Sequence, residues 1–224
     1  MAPLKIEPLQ IDDLEEFIRL YWTAFNPLEA DMILPMIYPS GLQPDLLERL
    51  KKRVLGETDG KLSDFCFCAR DTQSDEMVAV SWWAFVKHPA KTQIEIDAEW
   101  EQANAARNGG TSVAGINSAL GEAYLRAAVY SEYDTMRGQP YMSLRLLVTL
   151  PTHHRRGAGS LLLHHGLEKA DSQRLPVYLT AGVHGRPLYE RFGFTVTSDC
   201  PFDGRQWGGR SEGKHWCMLR PVQS

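Results

Sequence analysis

The segment LLVTLPTHHRRGAGSLLL, residues 146–163, has the residue types and spacing best suited to chemistry: an apolar run, a polar stretch with Gly157 and Gly159, then a second apolar run. A strand that passes through a glycine-containing turn into a helix can receive an anion. Free N–H groups of the first helical turn meet the positive end of the helix dipole there, and glycines let the backbone approach phosphate oxygens. Arg155 and Arg156 add positive charge, although a plain tight turn with solvated arginines has the same composition. Spacing narrows the ligand. A nucleoside-triphosphate loop requires Lys after its last glycine, but Ser160 follows Gly159. A dinucleotide fingerprint requires a third glycine where Leu162 stands.

Other reactive residue types carry weaker signals. His153-His154 and His164-His165 are adjacent pairs, and neighbours on a helix point apart, so no metal site is expected. Four cysteines, Cys66, Cys68, Cys200 and Cys217, are too few and too scattered for a disulfide framework. Cys66 and Cys68 stand two apart in an apolar run and read as small buried hydrophobes on one strand face. Candidate proton acceptors are Glu29, Asp31, Glu95, Asp97, Glu132 and Asp134, and the sequence does not choose among them.

The elements that must position these groups follow from periodicity. Residues 4–9 read as a short strand, and Asp12 is expected to cap an amphipathic helix bearing Leu14, Phe17, Ile18, Tyr21, Trp22 and Phe25. Helical stretches at 28–37 and 44–54 flank the turn Tyr38-Pro39-Ser40-Gly41. FCFCAR (65–70) and MVAVSWWAFV (77–86), joined by DTQSDE, form a hairpin whose second strand is apolar on both faces and therefore central. Residues 89–115 turn polar and are expected to be an insertion, part helix and part loop. A helix at 117–136, a strand at 141–150, a helix at 157–171, a strand at 177–181, a helix at 187–192 and a strand at 194–198 follow. A glycine-rich loop at 203–213 precedes a last strand, HWCMLRP. The expected architecture is a single α/β domain spanning 1–224 with hairpin and βαβ connections.

Composition sets the outer limits. The chain has 224 residues, 43% hydrophobic and 23% charged, as in ordinary soluble globular proteins. Its net charge of −4 supplies no global field toward nucleic acid or anionic membrane. The opening MAPLKIEPLQIDDLEEF places acids where a signal peptide needs apolar residues, and no apolar run reaches the ~18 residues of a membrane span. The cytoplasm is the expected compartment, with the nucleus open to a chain of this size.

His154-Arg155-Arg156-Gly157-Ala158-Gly159, after Thr149-Leu150-Pro151, resembles the pyrophosphate loop of the GNAT superfamily of N-acetyltransferases, which reads Gln or Arg, two residues, Gly, one residue, Gly or Ala. His154 stands at the Gln or Arg position. A second block, Leu188-Tyr189-Glu190-Arg191-Phe192-Gly193-Phe194, is similar to the family's Leu-Tyr-x-x-x-Gly-Phe helix and turn. The resemblance covers about residues 141–198. It implies a mixed, mostly antiparallel sheet with a splayed parallel strand pair, flanked by helices, and acetyl-CoA as acetyl donor.

By the same resemblance, the pyrophosphate would rest on the loop from His154 through Arg155, Arg156, Gly157, Ala158 and Gly159 to Ser160. The pantetheine arm would pair with Leu147, Val148 and Thr149. Tyr189 falls on the family's proton donor to the departing thiolate, a role suited to a phenol of pKa ~10. Trp82 and Trp83 alternate on a strand, so one faces the core and the other the acceptor cleft; Trp83 is assigned to the cleft, with Trp207 of the glycine-rich loop. The implied reaction is transfer of acetyl to a primary amine of a small molecule by a monomer or homodimer. The alternatives are a protein acetyltransferase and a non-catalytic acyl-CoA-binding protein, the latter opposed by an intact Tyr189.

Overall fold

The hairpin read at 65–86 supplies the second and third strands of a seven-stranded sheet in the computed structural model, which describes residues 3–25, 33–87, 89–108, 116–208 and 214–223. In chain order the elements are β1 (Leu4–Pro8), α1 (Leu14–Phe25), α2 (Ile33–Ile37), α3 (Pro44–Glu57), α4 (Leu62–Phe65), β2 (Cys66–Asp71), β3 (Met77–Val86) and α5 (Gln93–Asn108). They continue with α6 (Ser118–Met136), β4 (Tyr141–Thr149), α7 (Ala158–Ser172), β5 (Val177–Gly182), α8 (Arg186–Arg191), β6 (Thr195–Asp199) and β7 (His215–Arg220). The strand order is β1-β2-β3-β4-β5-β7-β6. Only β4 and β5 run parallel; every other neighbouring pair is antiparallel.

Helices cover both faces. On one, Leu162, Leu163 and Leu167 of α7 pack on Leu144, Leu179 and Trp83. On the other, Phe17 and Ile18 of α1 and Leu47 and Val54 of α3 pack on Cys66, Cys68 and Val80. Leu120 and Met136 of α6 join Tyr141 and Tyr178 farther along the sheet. Trp83 is 1% exposed. It lies so close to α7 that a Cβ on Gly166 would come within 2.0 Å of its ring. That position overturns the assignment of Trp83 to a substrate cleft, because a side chain enclosed between strand and helix has no free face.

One local feature departs from expectation. Asp12 does not cap α1: a 3-10 turn at Ile11–Asp13 comes first, and the Asp13 carboxylate accepts the Gln10 amide at 2.9 Å. In the polar stretch at 89–115 the expected helical part is α5, continuous to Asn108, and the loop expected after it falls on residues 109–115, outside the described residues.

The irregularity that shapes the site lies in β4. Trp82 pairs with Leu146 and Trp83 with Leu144, so Arg145 is an extra residue, a β-bulge. The bulge changes the parity of the strand. Tyr141 and Ser143 before it, and Leu146 after it, border one cavity on the same side of the sheet. Parallel pairing ends at this point, since Leu144 and Leu179 are the last β4–β5 partners. Beyond them β4 continues beside β3 to Thr149, and β5 beside β7 to Gly182, leaving a V-shaped gap.

Candidate active site

The loop after β4 is held in a conformation that exposes main-chain donors. Arg155 (φ 60) and Gly157 (φ 89) are left-handed, and Gly157 caps α7. The first bond into this helix runs from Leu161 N–H to the Gly157 carbonyl at 3.0 Å. The amides of Ala158, Gly159 and Ser160 therefore have no acceptor among the described residues, the expected state of a helix start. A Cβ on Gly157 would meet nothing within 4 Å, so the space above these amides is open. A pyrophosphate fits such a cradle.

Side chains around the loop stabilise it. His154 Nε2 lies 3.1 Å from the Thr149 carbonyl and ties the loop to the end of β4. Arg156 donates to Asp71 at 2.8 Å, so its guanidinium braces the loop against the β2–β3 turn. The Gln73 amide and Arg156 hold the Asp71 carboxyl below its ordinary value. Leu150 donates to the Val78 carbonyl at 2.9 Å. Ladder alternation then gives the polar groups of Val148 to Val80 and turns those of Leu147 and Thr149 toward the gap. Val148 thus contributes no main-chain pairing there, in contrast with its sequence assignment beside Leu147 and Thr149.

Tyr189 projects from α8 and is 8% exposed. Its ring packs edge-on to Phe194 at 5.8 Å and lies under Gly185, where a Cβ would come within 2.8 Å of it. Gly185 is thus a local signal for the tyrosine's position that sequence reading passed over. Burial pushes the phenol above its ordinary value, which keeps it protonated through neutral pH.

On the α1/α6 side of the sheet, a cavity of about 490 Å³ reaches the gap at Leu144, Leu146 and Thr180. Aromatic walls come from Phe17, Tyr21, Tyr38, Trp82 and Tyr124. Trp82, the neighbour of Trp83, is the tryptophan that borders it. Gly121, Tyr124, Leu125, Ala128, Val129 and Glu132 line it from one helical stripe of α6, so Glu132 is a carboxylate on an otherwise largely apolar face. Its Oε1 accepts Tyr141 O–H at 2.7 Å and its Oε2 accepts Arg145 Nη1 at 2.7 Å. On the α3 wall, Arg53 donates to Glu57 at 2.7 Å.

The other candidate acids lie elsewhere. Glu95 accepts the Thr92 amide at 2.8 Å as a cap of α5, Asp97 bonds Tyr130 and Arg126, and Asp134 is exposed. Glu29 and Asp31 fall outside the described residues. Trp207 is 37% exposed and borders a separate, more open pocket with Phe202, Asp203 and Gln206, not the larger cavity. Arg205 pairs with Asp203 at 2.9 Å, and Arg210 with the loop at 209–213 lies outside the described residues. Among the described residues, no three His, Cys, Asp or Glu side chains cluster as metal ligands would.

A main-chain anion cradle and a lined cavity meet where two parallel strands separate, an arrangement that can hold a phosphate-bearing ligand beside a second, largely apolar one. Residues 76–194, more than half of the chain, match the acetyltransferase (GNAT) family, and the chain belongs to that family of acyltransferase enzymes. Solved structures share the fold across nearly the whole length. A mosquito arylalkylamine N-acetyltransferase-like protein, 5b, is 12% identical, with 97% of this chain and 99% of that one covered and a TM-score of 0.69. An agmatine N-acetyltransferase is 15% identical, with 96% and 97% covered and a TM-score of 0.62. A Drosophila melanogaster polyamine N-acetyltransferase is 14% identical, with 97% of both chains covered and a TM-score of 0.60.

Proposed function

We propose that the protein transfers the acetyl group of acetyl-CoA to the primary amine of a small molecule by direct attack. The observation that carries this reading is the meeting of the two sites at the β4–β5 gap: unpaired amides on the α7 side, an aromatic cavity on the α6 side. Similar folds in acetyltransferases of agmatine, polyamines and arylalkylamines agree with a small amine acceptor.

The residues divide the work. Amides of Ala158, Gly159 and Ser160 receive the pyrophosphate, and Leu147 and Thr149 offer main-chain pairing to the pantetheine amides in the gap. The amine must be neutral to attack. As the C–N bond forms, a backbone N–H at the gap stabilises the carbonyl oxygen, the C–S bond breaks, and Tyr189 protonates the sulfur. No acyl-cysteine is involved, since all four cysteines are buried and none borders the cavity. Among the described residues no helix is long and apolar enough to cross a membrane. Work in the cytoplasm, with access to the nucleus, is part of this reading.

The test is a panel of primary amines of unlike shape, with free CoA and the N-acetyl product both measured. Turnover of small amines is expected. Tight CoA binding without turnover of any amine would instead mark a non-catalytic acyl-CoA-binding protein, and turnover confined to peptides a protein acetyltransferase.

A further inference from the structure

We propose that Glu132 receives the acceptor's ammonium group and removes the proton that blocks attack. The inference rests on the acetyl-transfer reading and adds the base that the sequence leaves unassigned. Among the described residues the buried charged side chains are Asp71, Glu132 and Arg220. All three have partners: Asp71 pairs with Arg156, Arg220 grips Asp171 at 2.6 and 2.9 Å, and Glu132 holds Tyr141 and Arg145. Glu132 alone of the three borders the large cavity. A carboxylate has about four lone-pair sites, and Tyr141 and Arg145 occupy one on each oxygen, so acceptor capacity remains for an ammonium.

Its placement joins it to the reaction. Both anchors come from β4, and Arg145 is the bulge residue at the point where β4 and β5 part. The carboxylate is therefore indexed to the strand whose far edge faces the gap. An amine held there has aromatic walls around its body, from Trp82, Tyr124 and Tyr38.

The proton accounting closes. The ammonium gives one proton to Glu132, which releases it to water at the cavity mouth. The neutral nitrogen then bonds the thioester carbon while the C–S bond breaks; Tyr189 protonates the sulfur, and the nitrogen's surplus proton passes through Glu132 and water to restore the phenol. One amide, one thiol and one solvent proton result.

Other charged or titratable groups surround the site: Tyr141 and Arg145 on β4, Arg53 and Glu57 on α3, Tyr178 on β5 and His215 on β7. Tyr133 neighbours Glu132 on α6. His215 is the competing base, so the experiment separates the two. We would measure kcat/KM against pH for the full chain, with 2-phenylethylamine as probe, in wild type, Glu132→Gln, Glu132→Asp and His215→Gln. Acetyl-CoA affinity, measured by calorimetry, serves as the folding control.

Glu132→Gln should lose about 10²-fold in kcat/KM at neutral pH, as for removal of a general base. The deficit should narrow as pH rises, because solution then supplies neutral amine, while acetyl-CoA affinity holds. Glu132→Asp should keep the wild-type profile at a reduced rate, and His215→Gln should keep its acidic limb. Parallel profiles for wild type and Glu132→Gln, or loss of the acidic limb in His215→Gln instead, would overturn the assignment while leaving acetyl transfer intact. A wild type that binds acetyl-CoA but acetylates no amine removes the parent reading and this assignment with it.

Discussion

At the start of α7 the groups aimed at a ligand are main-chain amides of consecutive residues, whereas around the α6 cavity they are side chains brought together from α1, α3, α6, β3 and β4. The first arrangement needs a particular backbone path and tolerates almost any side chain that leaves space. The second needs particular side chains and depends on how helices pack on the sheet. An unchanging ligand part, a pyrophosphate, suits the first; a variable acceptor suits the second. The bulge at Arg145 joins them, since it ends the parallel pairing and supplies an anchor for Glu132 in one residue.

The sharpest way to break this contrast is at the glycines. Gly157 has φ 89, a conformation that a β-branched residue strongly resists, and open space lies beyond its Cα. Gly157→Val should reduce CoA affinity by about 10²-fold or more, as expected when both strain and a methyl group oppose the ligand's approach. Gly159→Ala sharpens the point. A Cβ there meets Leu188 and Thr149 at 3.6 and 3.7 Å, ordinary contact distances, and Ala favours a helix over Gly by about 1 kcal/mol. Thermal stability should hold or rise while CoA affinity falls. Unchanged CoA affinity in both variants would mean that the pyrophosphate rests elsewhere.

Tyr189 lies between the two regimes, a side chain fixed by a backbone feature, Gly185. Tyr189→Phe removes the phenolic O–H with little change in volume. If the phenol acts as general acid, kcat should fall about 10²-fold with CoA affinity near wild type. Full activity of the Phe variant in a burst-free steady-state assay would leave Tyr189 as packing only.

The contrast also explains what could be read in advance. The cradle was legible because its determinants are local: a strand, two glycines at fixed spacing and a helix within 18 residues. The hairpin and the order of strands and helices, apart from the short α4 that takes Phe65 from the expected strand, were legible for the same reason. The parity of β4 was not, because YMSLRLLVTL alternates without a break, with Met142, Leu144, Leu146, Val148 and Leu150 as one expected face, and gives no sign that Arg145 is the extra residue. Trp83 and Trp82 exchanged roles for a related reason. Which of two adjacent tryptophans meets α7 depends on Gly166, 83 residues away in sequence and in contact only after folding. Glu132 carried a readable signal, an acid on the stripe of Tyr124, Leu125, Ala128 and Val129, but one shared with any helix whose acid snorkels to solvent.

The smallest effect concerns the acceptor walls, where two tryptophans make competing claims. Trp207 stands on a glycine-flanked loop beside Arg205, a combination suited to closing over a substrate, but its pocket shares no lining residue with the cavity at the gap. Trp82 is half-buried and forms part of that cavity's wall. Loss of a large apolar contact worth about 1.4 kcal/mol corresponds to a tenfold change in binding. Trp82→Ala should therefore raise KM for an apolar amine about tenfold and for a short hydrophilic amine less, with acetyl-CoA affinity retained. Trp207→Ala should change either KM by less than about twofold, the usual range for a substitution on an exposed loop away from the site. Steady-state kinetics with the two amines settles the order. If Trp207→Ala changes their ranking and Trp82→Ala does not, the acceptor binds toward the loop at 203–208, and the division between a backbone-made donor site and a cavity-made acceptor site must be redrawn around that second pocket.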